Sequence, residues 1–156
     1  MNRRQRVEYL WLDGRDPLPK VRSKTRYLNP QEHIVVPCWN FDGGSTEQGT
    51  LEDSDRMLRP VRTYTDPFND GGLLAFCEVC YYGGVPHESN TRTHLERLTK
   101  DVKGILVGFE QEVTFINPTD YKPLGLLLSP QAQGQYYCGA GCMNVIGRSI
   151  MEEFEK

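Results

Sequence analysis

The chain has no apolar run of the about twenty residues that a bilayer-spanning helix requires, so a transmembrane helix is excluded as its organising element. Excess charge is also scarce. A net charge of −3 over 156 residues leaves no basic footprint for nucleic acid, and no membrane partner is expected either. The basic start, Met1-Asn2-Arg3-Arg4-Gln5-Arg6, lacks a following stretch of Ala or Leu, because residues 7–12 are broken by Glu8 and closed by Asp13-Gly14. That pattern reads as a cytoplasmic chain without a targeting peptide. Repeats and low-complexity tracts are absent, and 38% apolar against 25% charged residues indicates a globular chain on the polar side.

Cysteines number five, an odd count for a secreted disulfide framework. Cys77-Glu78-Val79-Cys80 and Cys138-Gly139-Ala140-Gly141-Cys142 together suggest zinc, but the first pair lies in an apolar strand-like segment, 73–82. Positions i and i+3 of a strand face opposite ways, so one sulfur would turn away from a shared ion. Free, buried thiols are the better expectation.

The first half of the chain reads as strands and turns. Residues 7–12 alternate and end in the Asp13-Gly14 turn signal. Residues 20–28 put Arg22, Lys24 and Arg26 on one face, which reads as a solvated edge strand whose charges block edge-to-edge pairing. Residues 35–41 run into Asp42-Gly43-Gly44-Ser45-Thr46, where glycines permit unusual backbone angles or close approach. The polar stretch 47–56 reads as mobile. Strands are expected again over 60–68 and 73–82, joined by Asn69-Asp70-Gly71-Gly72. Beyond Gly83-Gly84 the character changes, and a domain boundary is expected near His87. Ser89 or Asn90 caps a helix over 91–103 with Leu95, Leu98 and Val102 as its apolar stripe. Residues 118–135 read as a long irregular stretch, and 147–156 as a helix with Ile146, Ile150 and Phe154 at helical spacing.

Between the two helices, residues 103–117 are rich in β-branched and aromatic side chains and read as a buried strand. On a strand, Glu110 and Glu112 share one face roughly 7 Å apart. Two carboxylates so held suit a hard cation, and the same spacing equally describes the solvated face of a sheet.

Trp39-Asn40-Phe41-Asp42-Gly43-Gly44-Ser45-Thr46, preceded by Tyr9-Leu10-Trp11-Leu12-Asp13-Gly14 and Arg22-Ser23-Lys24-Thr25-Arg26, resembles the N-terminal half of eukaryotic-type glutamine synthetase. In the family's order there follow Asp66-Pro67-Phe68, Cys77-Glu78-Val79, Ser89-Asn90-Thr91-Arg92, Phe109-Glu110-Gln111-Glu112 and Tyr136-Tyr137-Cys138-Gly139-Ala140-Gly141. The resemblance implies an α+β chain with a β-grasp domain over 1–87 and, over 88–156, the opening of the family's catalytic domain. Family members join ammonia to glutamate with ATP through γ-glutamyl phosphate, in rings whose active sites lie between subunits. It also implies glutamate, ammonium and ATP as substrates, Mg2+ or Mn2+ as cofactor, and other synthetase subunits as partners. Glu110 matches the glutamate that ligates the metal near the ATP phosphates, and Glu112 the one that ligates the metal near the substrate. Asp42 matches the aspartate that binds ammonium and removes its proton, although a turn-forming residue before Gly43 would look the same.

Several positions depart from the family pattern. Gly44 stands where the family has Ser, Leu106 where an aromatic residue precedes the metal strand, and Cys142-Met143-Asn144 where an acidic and a basic residue follow Gly141. The family's remaining metal ligands, its substrate-binding arginines and most of its ATP pocket have no counterpart in these 156 residues. Two functions are therefore expected: a ligase to which this chain supplies part of the site, or an inactive, shortened paralogue that docks on full-length synthetase rings. A chain that folds poorly and exposes apolar surface is a third outcome of the same reading.

Overall fold

The computed structural model describes residues 4–29, 35–110, 112–124, 138–141 and 145–154. The chain divides into two compact units, 1–104 and 105–156. Gln111, Tyr136, Tyr137 and the segment 142–144, which figure in the sequence motifs, lie outside the described residues.

The first unit is built on five strands, β1 (Gln5–Leu12), β2 (Val21–Leu28), β3 (Trp39–Asp42), β4 (Asp55–Thr65) and β5 (Leu73–Cys80). They form one mixed sheet in the order β2-β1-β5-β4-β3, in which β1 and β5 are parallel and all other neighbours antiparallel. Alternation decides the faces. Val7, Tyr9 and Trp11 of β1, Ala75, Cys77 and Val79 of β5, Leu58 of β4 and Phe41 of β3 all point to one side and form the core, with Val36 from the preceding loop.

A flat sheet of this order would hold β2 and β3 about 19 Å apart, four strand spacings. Instead Lys24 of β2 donates from Nζ to the Asn40 carbonyl of β3 at 3.0 Å and lies 3.8 Å from the centre of the Trp39 ring. Tyr9 meets Trp39 edge-on at 5.3 Å, and Trp11 meets Phe41 at 4.8 Å. The sheet is therefore curled, and its two edges approach each other over a concave core. The Tyr9 hydroxyl donates to the Pro37 carbonyl at 2.9 Å and ties the 35–38 loop over that core. The basic stripe on β2 is thus on the core side of an edge strand, half-buried, rather than on a solvated face: Arg22, Lys24 and Arg26 register with Trp11, Tyr9 and Val7.

Polar side chains fasten the elements the core does not reach. Asp13, buried after β1, accepts from the Lys20 amide (2.7 Å), the Arg15 amide (3.3 Å) and Arg22 Nε (2.9 Å), which turns the chain into β2. Glu78, buried on the convex side of β5, accepts from Arg59 Nη2 (2.6 Å), Thr93 Oγ1 (3.1 Å) and Arg92. The last two belong to helix α1 (Thr91–Thr99), whose N-cap Asn90 accepts from the Thr93 amide at 3.2 Å. The helix is shorter than the pattern 91–103 implied, and its stripe of Leu95, Leu98 and Val102 is exposed. The stretch 47–56 is not loose: Gln48 is buried, Thr50 and Asp53 exchange hydrogen bonds, and β4 begins at Asp55.

The second unit contains a tight reversal, in which Ile116 bridges Pro123 and Phe115 accepts from the Leu124 amide at 2.6 Å, and helix α2 (Arg148–Phe154). The expected strand over 103–117 does not form. Residues 105–110 and 112–115 hold no ladder, and Leu106, Val107, Phe109 and Val113 are exposed. β-Branched composition supplies propensity only, and among the described residues no neighbouring strand offers the backbone a partner.

Three buried groups set the acid limit of the fold. Burial would raise Asp13 and Glu78, but the hydrogen bonds from Lys20, Arg22 and Arg15, and from Arg59, Arg92 and Thr93, outweigh it and hold both carboxyls below their usual range. His87, 4% exposed, is held below its ordinary 6.5 by burial and by Arg56, against the pull of Glu88. A depressed histidine stabilises the fold above about pH 6.5 and loses that contribution as pH falls from there; depressed carboxylates lose theirs below about pH 4. Urea denaturation from pH 8 to 2 is expected to show stability falling in two steps, with His87→Gln abolishing the upper step and Asp13→Asn weakening the lower.

Candidate functional site

Asp42 is the last residue of β3, paired in register with Asp55, and its side chain is exposed. One carboxylate oxygen, Oδ1, accepts from the Gly44 amide at 2.9 Å, which fixes the side chain over the start of the loop. That is an Asx-type turn, so the turn-forming role open to Asp42 from sequence is realised, and it leaves Oδ2 without a protein hydrogen bond among the described residues.

The loop behind Asp42 is pinned at Gly43, Gly44, Thr46 and Gln48. Gly43 donates to the Ser54 carbonyl at 2.7 Å and accepts from the Thr46 amide at 3.1 Å and the Gln48 amide at 2.8 Å. A single 3-10 turn, Gly44–Thr46, follows, and Glu47 takes a left-handed conformation (φ 59°). Thr46 then accepts from the Gly14 amide at 2.8 Å, joining this loop to the end of β1. Gln48 extends the joint: its Nε2 donates to the Leu12 carbonyl (3.0 Å) and to Ser89 Oγ (2.8 Å). One buried amide thereby links the Asp42 loop, β1 and the entry to α1.

Neither Gly43 nor Gly44 adopts a positive φ, so unusual backbone angles are not what the glycines supply. Gly43 is required by proximity instead: a Cβ there would lie 2.7 Å from Arg56 Cγ and 3.0 Å from the Gln48 carbonyl group. Arg56 is buried beneath it, bonded to Asp53 Oδ1 at 3.1 Å and stacked 4.7 Å from the Tyr81 ring centre. Gly44 is more open, with Asp42 Oδ1 at 3.1 Å as the nearest atom a Cβ would meet.

A groove of about 320 Å³ opens beside Asp42, lined by Trp11, Arg22, Ser23, Lys24, Phe41, Ser45 and Thr46. It offers a carboxylate oxygen, two hydroxyl-bearing loop residues and the flank of the basic stripe. Such a set can hold a small cation at the carboxylate or an anion at the stripe.

Glu110 and Glu112 lie in the second unit, exposed, on a segment without regular strand pairing. The stiff sheet face expected for them is absent among the described residues, because 105–110 and 112–115 lack a ladder partner. Their carboxylates are hard oxygen donors of the right chemistry for Mg2+ or Mn2+, but two donors fall short of an octahedral set. Among the described residues no three His, Cys, Asp or Glu side chains gather at metal-binding spacing. Cys77 and Cys80 are placed as the strand argument required, whereas Cys38 and Cys138 are exposed and not buried as expected. Cys77 and Cys80 are both buried, and burial pushes the Cys77 thiol up to about 12, which keeps it protonated.

Sequence reasoning missed Gln48, Arg56 and His87 as parts of the loop's support. Gln48 and Arg56 were hidden in a polar stretch that composition assigns to a surface loop. Burial of isolated polar residues has no periodic signal.

Comparison with known proteins matches residues 3–82 to a family model described as glutamine synthetase, beta-Grasp domain. A glutamine synthetase from Streptomyces viridochromogenes is 40% identical over 154 residues, which is 94% of this chain and 44% of that protein. One from Rattus norvegicus is 38% identical over 92% of this chain and 40% of that protein. A cryo-EM structure of Plasmodium falciparum glutamine synthetase superimposes on 64% of this chain and 19% of its own, with a TM-score of 0.49 and 20% identity. The chain spans less than half the length of the curated relatives it matches. Among the described residues no helix is long and apolar enough to cross a membrane.

The two glycines after Asp42 are expected to respond differently to a methyl group. Gly43→Ala should destabilise the first unit by about 1–3 kcal/mol through overpacking against Arg56. Gly44→Ala should cost under about 1 kcal/mol, because the exposed Asp42 carboxylate can move aside. Chemical denaturation of both variants checks the contrast.

Proposed function

Since the chain belongs to the glutamine synthetase family, whose beta-grasp domain it carries, we propose that it supplies part of the active site of an ATP-dependent glutamate–ammonia ligase. In this reading residues 1–87 form the β-grasp domain and 88–156 the opening of the catalytic domain, and the protein works in the cytoplasm within a ring of synthetase subunits. The observation that carries the proposal is Asp42: an exposed carboxylate with one oxygen that has no hydrogen bond among the described residues, presented by a strand end whose following loop is pinned.

The chemistry follows from that presentation. Ammonium is no nucleophile until it loses a proton, and a carboxylate can both attract the cation and take the proton. Asp42 would do so through Oδ2, while Oδ1 remains engaged by the Gly44 amide and keeps the group oriented. The pinned backbone means that the carboxylate need not be ordered on binding, which lowers the cost of holding a small, strongly hydrated ion. Glu110 and Glu112 would each contribute carboxylate oxygens to divalent ions. Bound Mg2+ or Mn2+ would neutralise phosphoryl oxygens of ATP and of γ-glutamyl phosphate. With only these two donors among the matched positions, the chain by itself is expected to form no glutamine.

A second reading rests on the exposed Leu95 and Leu98 of α1, at 58% and 64%, which no described residue covers. In it the folded unit docks on full-length synthetase rings without catalysing anything. Mixing the chain with a full-length relative and finding no co-elution on size exclusion would remove this alternative.

The ligase reading is tested on the chain assembled with whatever polypeptide completes its site. Asp42→Asn, which keeps shape and the bond to Gly44 but loses basicity, should lower kcat about 100-fold or more while leaving the KM for glutamate within about twofold. Unchanged turnover in that variant would remove Asp42 from the mechanism.

A further inference from the structure

The basic stripe of β2 is a sequence motif that the proposed ligase chemistry leaves unused. Its members are not equivalent. Arg22 is committed to buried Asp13 at 2.9 Å, and the Arg26 guanidinium lies 5.9 Å from the Trp39 ring centre. Lys24 makes the closer crossing from one edge of the curled sheet to the other, and the hydrogen-bonded one: its Nζ is 3.0 Å from the Asn40 carbonyl and 3.8 Å from the Trp39 ring centre.

The geometry points to Lys24 as a positioning residue for Asp42, an ammonium on one edge strand that fixes the opposite edge strand at the point where it delivers the carboxylate. This rests on the reading of Asp42 as the group that handles ammonium.

β3 has four residues and pairs with a single neighbour, β4, so its other side has no ladder to hold it. The Lys24 bond to Asn40 and the cation seated on Trp39 supply the missing restraint. They act on the two residues that open the strand, and Asn40 and Asp42 share its exposed face. A clamp at Asn40 therefore sets the direction in which Asp42 emerges.

The arrangement also solves a charge problem. Lys24 lines the same groove as Asp42. A lysine free to swing toward that carboxylate would occupy the place of a substrate cation. Seated on the Trp39 face and bonded to a carbonyl, the ammonium is held by uncharged partners and Asp42 keeps its charge for the groove.

The test uses the full chain labelled with 15N. Lys24→Met, which keeps the length of the side chain and loses the cation, should accelerate amide exchange at Phe41, Gly43 and Gly44 about tenfold. Amides of β1 and β5 should stay within about twofold, and the Gly44 amide resonance should shift as its bond to Asp42 loosens. Lys24→Arg, which keeps a cation over the ring, should restore both. Uniform acceleration across the sheet would mean that Lys24 contributes stability only, and unchanged exchange at 41–44 would mean that it holds nothing; either overturns the proposal. Full ligase turnover in Asp42→Asn alongside a loop released by Lys24→Met would discard the Asp42 reading and leave the clamp standing.

Discussion

Bending is how this sheet covers its own core, and the meeting of Lys24 with Trp39 and Asn40 is where the bend closes. Among the described residues the concave face carries a loop, 35–38, and not a helix, so apolar side chains from one sheet must be buried against one another. That is possible only if opposite edges approach. Tyr9 and Trp39, and Trp11 and Phe41, are the pairs that fill the gap, and each draws its members from strands that are not neighbours in the ladder. The location of Asp42 at the end of β3 follows from this closure, since a flatter sheet would carry the strand away from β2 and dissolve the groove between them.

Away from the core, structure is held by few and local polar joints. Asp13 gathers the β1–β2 connection, Glu78 fastens the first turn of α1, and Gln48 spans from the Asp42 loop to Ser89. Each is a buried acceptor or amide whose partners are supplied by the backbone, by hydroxyls or by charged side chains, which makes burial tolerable. The cost is that the Asp13 and Glu78 joints depend on protonation state, whereas the Gln48 joint and the apolar contacts of the core do not. Glu78 also shows why α1 stays attached although its apolar stripe contributes no burial: two side chains of its first turn reach one carboxylate.

Much of the fold was legible in the sequence because alternation and turn residues are local signals. β1, β2 and β5 were expected near their observed positions and β4 only in its second half, Asn90 caps α1 by the mechanism its side chain implies, and the opposite facing of Cys77 and Cys80 followed from strand period alone. What escaped was whatever depends on a partner distant in sequence. The stripe Arg22, Lys24 and Arg26 was correctly placed on one face of an edge strand, yet which face was inner depended on Trp39 arriving from β3. Residues 103–117 have every local mark of a strand, yet those described hold no ladder, since propensity cannot supply the neighbour. The candidate site divides in the same way: the loop bearing Asp42 was visible as a motif, while its supports Gln48 and Arg56 looked like ordinary polar surface, and the spacing of Glu110 and Glu112 fitted their exposure but not the missing strand pairing around them.

The parallel pairing of β1 with β5 joins the first strand of the unit to its last, with Val7 beside Leu73 and Leu10 beside Phe76. During synthesis the β1–β2 hairpin leaves the ribosome first, but its inner face has no central neighbour until β5 has followed. Because β4 pairs with β5 and β3 with β4, those strands too wait on the same event. Folding of this unit is therefore governed by non-local contacts, slow for its size, with the aromatic side chains of β1 uncovered in the nascent chain until the last strand is made.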